Sequence, residues 1–97
     1  MSKDDLKKLM PDVDSIKNKL EKNLKNQSLS VTSKNGMVTV VINYQQEITD
    51  LIIDNRLLDP GKAGALKSNL VEVLNRAISN SRSKMLEETA KAVQLFK

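Results

Sequence analysis

Near the start of the chain, apolar residues recur at helical spacing. Between Leu6 and Leu20 they fall at positions 6, 9, 13, 16 and 20, in steps of three and four. This spacing places their side chains on one stripe of a helix, as in a coiled-coil seam. Pro11 either kinks this helix or occupies its first helical position. The polar run Asn26-Gln27-Ser28 then ends it, so the pattern predicts an N-terminal helix.

The middle of the chain changes to alternating apolar and polar residues. The segments "SLSVTS", "MVTVVIN" and "EITDLIID" follow one another and are rich in β-branched residues. Short turns at Lys34-Asn35-Gly36 and Tyr44-Gln45-Gln46 separate them, because Asn and Gly tolerate positive φ. Three strands joined by short turns predict an antiparallel meander.

The strands are apolar on both of their expected faces. One face is predicted to carry Val38, Val40 and Ile42. A second face that is exposed to water is normally polar. This second face is instead expected to carry Met37, Val41, Leu51 and Ile53. Helices of the same chain can cover one face, and a second copy of the chain is the simplest cover for the rest. The pattern therefore predicts a homodimer with Met37, Val41, Leu51 and Ile53 at its interface.

After Asp59-Pro60-Gly61 the apolar residues return to helical spacing. A helix continuous to Lys97 would have about 35 residues and a length of about 50 Å. A domain this small cannot cover it, so its second half either projects from the body or breaks near Asn80 and folds back. The fold class is α+β: an N-terminal helix, a three-stranded meander and a long C-terminal helix. Its predicted stripe is Leu66, Leu70, Val73, Leu74, Ala77, Ile78 and Ser81, extended by Met85, Leu86, Ala90 and Val93.

The stretch "IDNRLLDPGK" between the third strand and this helix has two interpretations. Asp54 and Asp59 are either an acid site with Arg56 holding a substrate, or parts of a structural joint. In the joint, Leu57 and Leu58 fill the end of the core. Either Asp59 caps the helix with Pro60 at its first position, or Pro60-Gly61 form a type II turn before the helix begins. Catalysis needs a partner that titrates near neutral pH, and the joint is the favoured interpretation.

Composition excludes many kinds of active site. The 97 residues form one domain and include no cysteine and no histidine. Zinc-thiolate sites, thiol nucleophiles and Ser-His-Asp triads are therefore excluded, and we expect no enzyme, cofactor or small-molecule substrate. Tyr44 and Phe96 are the only aromatic residues, too few for the stacking platform of a single-strand binder. No apolar run is long enough to span a membrane, no secretion signal is evident, and the expected location is the cytoplasm.

Charge is distributed unevenly along the chain, whose net charge is +4. Residues 35–59 are acidic, whereas the flanking segments are basic. If the strands form the body and the helices project, the basic side chains concentrate on the projections, where they can contact phosphates. Lys22, Lys25, Arg82 and Lys84 have few acidic neighbours and are the strongest candidates. The full predicted DNA-binding set is Lys17, Lys19, Lys22, Lys25, Arg76, Arg82, Lys84 and Lys91.

Three segments in order resemble the YbaB/EbfC family of bacterial nucleoid-associated proteins: "GMVTVVIN", "ITDLIIDNRLLDP" and "LKSNLVEVLNRAISNSRSK". Asn43-Tyr44 stands where the family usually has Asn-Gly, Gly61-Lys62 replaces acidic residues, and the Gly- and Pro-rich tail is missing. The resemblance implies a single domain over residues 1–97 and a homodimer with helices reaching outward. It also implies binding of double-stranded DNA in the nucleoid with little sequence preference, without cofactor or catalysis.

A second function remains open from the sequence. In this alternative, the apolar stripes of the two helices pair with helices of another protein, and the lysines only keep the surface soluble. Asn75 could read adenine, but its place beside Leu74 favours a packing or interhelix role.

Overall fold

A computed structural model describes residues 13–94. It confirms the predicted order of an N-terminal helix, a three-stranded antiparallel sheet and a long C-terminal helix. The elements are α1 (Val13–Asn26), β1 (Ser28–Thr32), β2 (Val38–Asn43), β3 (Ile48–Ile53), two 3₁₀ turns (Asn55–Leu58 and Pro60–Lys62) and α2 (Ala63–Gln94). The predicted seam positions Leu6 and Leu9, and Pro11, lie outside the described residues.

The core lies between one face of the sheet and the first half of α2. The strand order is β1-β2-β3, so β2 is central and β3 forms an edge. Val38, Val40 and Ile42 of β2 are fully buried, and they meet the buried Val73 and Ala77 of α2. This matches the predicted stripe in the first half of the helix.

The register between β2 and β3 corrects the predicted sheet faces. Val38 lies opposite Ile53, and Val40 lies opposite Leu51. Opposed residues of an antiparallel pair share a face, so Leu51 and Ile53 lie on the core face. The prediction that they share a face with Val41 is therefore wrong.

The other face of the sheet is mostly polar. Asp50 lies opposite Val41, Ile52 lies opposite Thr39, and β1 contributes Ser30 and Thr32. The alternation of apolar and polar residues within one strand does not determine its phase, that is, which of those residues share a face with which residues of the neighbouring strand. Here the loop length and a bulge between Val41 and Ile42 set that phase.

Both hairpin turns use a residue at positive φ. In the first turn it is Gly36, at φ 75°. In the second it is Gln46, at φ 61°, in a three-residue loop where the third position is left-handed. The absence of glycine at position 44 is therefore harmless, because that position does not need positive φ. Because position 46 is glutamine and not glycine, its left-handed backbone conformation costs roughly 1–2 kcal/mol of folding free energy.

The long helix α2 is continuous, and the break predicted as one alternative near Asn80 does not occur. Its 32 residues extend about 48 Å, and the molecule measures 66 × 21 × 18 Å. The second half of α2 therefore projects beyond the sheet. The polar Ser81 at the point of departure is fully buried, and its hydroxyl donates to the backbone carbonyl of Asn43.

The projecting half of α2 lies beside α1, and we call α1 together with residues 82–94 the arm. Leu24 of α1 is buried, and Ile16 and Leu20 are half-buried. Asn23 Nδ2 donates to Glu88 Oε2 of α2 at 3.2 Å. The two helices thus form one antiparallel pair.

The predicted extension of the α2 stripe is wrong for Leu86, Ala90 and Val93, which are exposed. A stripe at 3.6 residues per turn that includes Ser81 continues through positions 85, 88 and 92. Those residues are half-buried against α1, although one of them is a glutamate. Because Glu88 is polar, the spacing of apolar residues did not indicate this part of the buried stripe.

The segment between β3 and α2 is a structural joint. The Asp54 carboxylate accepts from Arg56 N at 2.9 Å, and the Asp59 carboxylate accepts from Gly61 N at 2.8 Å. Each aspartate caps one 3₁₀ turn, with Pro60 first in the second. Leu57 is buried as predicted.

Two details of the joint differ from or add to the prediction. Leu58 is 57% exposed, so the expectation that it fills the core is wrong. The guanidinium of Arg56 donates to both carboxylate oxygens of Asp54. These bonds lower the pKa of Asp54 to about 2 and raise that of Arg56. A carboxylate held ionised in this way is suited to a cap rather than to proton transfer.

Candidate nucleic-acid interface

Positive charge concentrates on the arm. It carries seven basic and four acidic side chains, a net charge of +3. Residues 28–62, which form the sheet and joint, carry three basic and four acidic side chains, a net charge of −1. The first half of α2, residues 63–81, adds two basic and one acidic side chain, so the body as a whole has no net charge and the projection is basic.

The lysines of α1 lie at exposed positions of the arm. Lys19, Lys22 and Lys25 follow at steps of three and form one slowly winding row. Lys17 lies about 160° around the helix from Lys19, on the other flank. All four are exposed, and none of them forms an ion pair within residues 13–94. Their ammonium groups are available to an external anion.

On α2 the predicted cations differ in their surroundings. Arg82 is exposed and has no ion pair within the described part of the chain. Lys84 contacts Glu87, and Lys91 contacts Glu88, each at 3.4 Å. Exposed pairs of this kind contribute little stability, so a phosphate can compete for either lysine.

Arg76 does not join the arm set. Its Nη2 donates to the Thr32 backbone carbonyl at 2.6 Å, and its guanidinium pairs with Glu72 at 3.0 Å. It also lies about 120° around the helix from Arg82. The contact with Thr32 ties α2 to β1, whereas the pair with Glu72 lies within α2, so the structure gives Arg76 a role in holding the fold together. Asn75 is exposed on α2.

The β2–β3 turn joins the arm to the sheet, and sequence reasoning missed its role. Tyr44 N donates to Leu24 O at 3.0 Å and to Gln27 O at 3.1 Å. The neighbouring glutamines each reach one arm helix with a side-chain amide. The sequence feature that could have indicated this role is the pair of consecutive glutamines in a tight turn that has no glycine.

Two cavities border these elements. One, of about 460 Å³, lies between the arm helices, with Ile16, Leu20 and Ala92 on its walls and Lys19 and Lys91 at its sides. The other, of about 550 Å³, lies at the joint beside Met37 and Leu57. Within residues 13–94 no group of acidic side chains is placed to hold a metal ion. No helix in that range is long and apolar enough to cross a membrane.

Comparison with known proteins adds relatives in bacteria. The chain is 32% identical over 93 residues to a nucleoid-associated protein of Sulfurihydrogenibium sp. strain YO3AOP1, covering 93% of this chain and 84% of that one. It is 35% identical over 68 residues to a nucleoid-associated protein of Myxococcus xanthus, covering 70% of this chain. That match spans 65% of the Myxococcus protein's length, just under two thirds.

A solved structure shares the fold. An uncharacterized protein of Helicobacter pylori superposes with a TM-score of 0.79 at 25% identity, covering 96% of this chain and 98% of that one. The sequence profile of the YbaB/EbfC DNA-binding family matches residues 2–96. The match spans nearly the whole chain, including the strands, the joint and both arm helices. This protein therefore belongs to the YbaB/EbfC DNA-binding family.

Proposed function

We propose that this protein binds double-stranded DNA through the phosphate backbone, using the basic arm. The observation that carries the proposal is the row Lys19, Lys22 and Lys25, exposed and without ion pairs inside the described range, on a projecting helix pair. Membership of a DNA-binding family and relatives named nucleoid-associated proteins support it.

Binding of this kind needs no base contact. Lysines that neutralise phosphates release condensed counterions, and the gain in free energy is independent of sequence. Lysine is a compact charge on a flexible stem, which suits phosphate better than a base edge. Arg82 is the one arginine of the described arm. A single potential reader of guanine gives little discrimination, so the proposed binding has little sequence preference.

The proposed binding unit is a homodimer. Large apolar side chains are exposed along the edge strand β3, where Ile48 is 47%, Leu51 is 42% and Ile52 is 55% exposed. An edge strand with such side chains is an association surface. Among the predicted interface residues, Leu51 lies on this strand and is the most exposed. Met37 and Ile53 also pack against the chain's own core, and Val41 lies on the opposite face.

A dimer built through β3 carries two arms. Each arm brings its own row of cations, so the phosphate contacts double without any change in the chain. The proposed location follows from the ligand: the nucleoid in the bacterial cytoplasm.

The test is a binding titration on duplexes of three unrelated sequences over a salt series. We expect similar affinities and a plot of log K against log salt with a slope of roughly −0.9 per phosphate engaged. A response that is flat in salt, or no binding at low salt, contradicts the proposal.

A second candidate function rests on a different observation. Leu86 and Val93 are exposed on the outer side of α2, seven residues apart, at 59% and 53%. This is the spacing of anchors that a partner helix would cover. If this surface is the functional one, a Leu86→Gln/Val93→Gln variant abolishes partner association. DNA binding is then absent in the parent protein too.

A further inference from the structure

We propose that Gln45 and Gln46 form a clamp that fixes the two arm helices relative to each other and so pre-organises the cations for DNA. This inference rests on the proposed function. Gln45 Nε2 donates to the Glu21 backbone carbonyl of α1 at 3.2 Å. Gln46 Nε2 donates to Ser81 Oγ of α2 at 3.1 Å. Adjacent residues of one turn thus hold one helix each.

The α1 side of the clamp closes a helix end. The last carbonyls of an α-helix have no partner within the helix. Here the hairpin turn supplies a donor to one of them, since Tyr44 N donates to Leu24 O and also to Gln27 O just beyond the helix. Gln45 adds a further donor to the Glu21 carbonyl, about one turn before the helix end. A single residue, Gln27, separates α1 from β1. Without the turn, the position of α1 rests on Leu24, on the Asn23–Glu88 hydrogen bond and on a helix contact that leaves a cavity of about 460 Å³.

The α2 side of the clamp lies where that helix leaves the sheet. Ser81 is fully buried, donates to the Asn43 carbonyl and accepts from Gln46. Gln46 makes this contact from a left-handed backbone, at φ 61°. Glycine would adopt this conformation without strain. A strained residue that makes a specific contact is a reason to look for a functional role, and the amide that glycine lacks is what joins the turn to α2.

The clamp should raise the affinity for DNA by fixing the two helices before DNA binds. Lys19, Lys22 and Lys25 lie on α1, whereas Arg82 lies on α2. A duplex that engages both helices needs them at a fixed separation. If they are already fixed, DNA does not have to order them, and the affinity is higher for the same number of phosphate contacts.

The first measurement is the distance between the helices. The chain has no cysteine, so Asn18→Cys and Ser83→Cys, both at exposed positions, can carry spin labels. Labelled chains are diluted with excess unlabelled chain, so that each dimer holds one labelled pair. We expect a narrow distance distribution in the parent, and a broader one when Gln45→Ala and Gln46→Gly are combined. Circular dichroism should show unchanged helix content.

The second measurement is DNA affinity at fixed salt. The clamp variant should bind at least about fivefold more weakly, the factor that corresponds to losing two hydrogen bonds at the lower end of their usual range. The salt slope should not change, because the cations remain. Gln46→Asn, which tolerates positive φ but has a shorter side chain, should behave like Gln46→Gly. Gln94→Ala, which removes an arm glutamine away from the turn, should behave like the parent.

The outcomes separate the two ideas. An unchanged distance distribution in the clamp variant overturns the clamp. A broader distribution with unchanged affinity, or with a shallower salt slope, overturns pre-organisation. A parent protein that does not bind duplex DNA overturns the proposed function and the positioning role with it. The distance distributions still decide whether the glutamines hold the helices.

Discussion

The row of lysines on α1 makes a quantitative prediction. Replacing Lys22 and Lys25 with glutamine removes two exposed charges that have no ion pair within residues 13–94. Neither side chain is buried, so the fold should be preserved. What changes is the number of phosphates that the arm can neutralise.

The magnitude follows from counterion release. Each lost phosphate contact makes the slope of log K against log salt shallower by about 0.9. Two contacts on one arm therefore reduce it by about 1.8, and affinity at 0.1 M salt falls about 60-fold. If both arms of a dimer engage, the reduction in slope is about 3.6.

The assay is fluorescence anisotropy of a labelled duplex at four or more salt concentrations. The matched control is a double variant with the same loss of charge outside the arm, Lys34→Gln/Lys62→Gln. Lys34 lies in the first hairpin turn and Lys62 in the joint. A control that loses as much slope as Lys22→Gln/Lys25→Gln would refute the assignment, since net charge and not the arm would then govern binding.

Further predictions concern stability, association and pH. Ser81→Ala should lower the free energy of unfolding by about 1 kcal/mol and the melting temperature by about 4–8 °C, because the Asn43 carbonyl loses a buried donor. The control is Ser83→Ala, at an exposed position of the same helix. An equal loss of stability in both variants would contradict the role of Ser81. Leu51→Lys should dissociate the proposed dimer in light scattering while Val41→Lys, on the opposite face, leaves it intact; the reverse result would move the interface to that other face. The pKa of Asp54 lies at about 2, below its ordinary 3.8, so its stabilising contact is complete above about pH 4 and is lost as pH falls toward 2. Arg56→Gln should return that pKa toward 3.8 in a carboxyl NMR titration, and an unchanged value would show that the ion pair is not its cause.

Much of the fold could be predicted because local patterns determined it. The strands alternate, Gly36 marks the first turn, and α2 keeps its stripe from Leu66 to Ser81. The sheet faces could not be predicted, since a bulge beside Val41 shifts the phase of β3 and no pattern within a strand reveals it. The second half of the α2 stripe was missed because Glu88 lies on it.

The candidate site was predictable as a region but not residue by residue. Charge counts alone placed basic residues on both helices. They could not show that Arg76 donates to Thr32, because that contact comes from the three-dimensional packing of α2 against β1, whereas the Glu72 pair is a local i, i+4 contact within α2. The two consecutive glutamines marked the turn as unusual, but the sequence could not identify their acceptors, which lie 24 and 35 residues away.

The most direct test of the account is to map the DNA contact on the protein itself by amide chemical shifts, adding a short duplex to the labelled chain. The account predicts that the largest shifts fall in α1 and in residues 82–94, and that the sheet and the joint barely respond. Shifts concentrated on the sheet or the joint, or no shifts at a concentration where anisotropy reports binding, would contradict it.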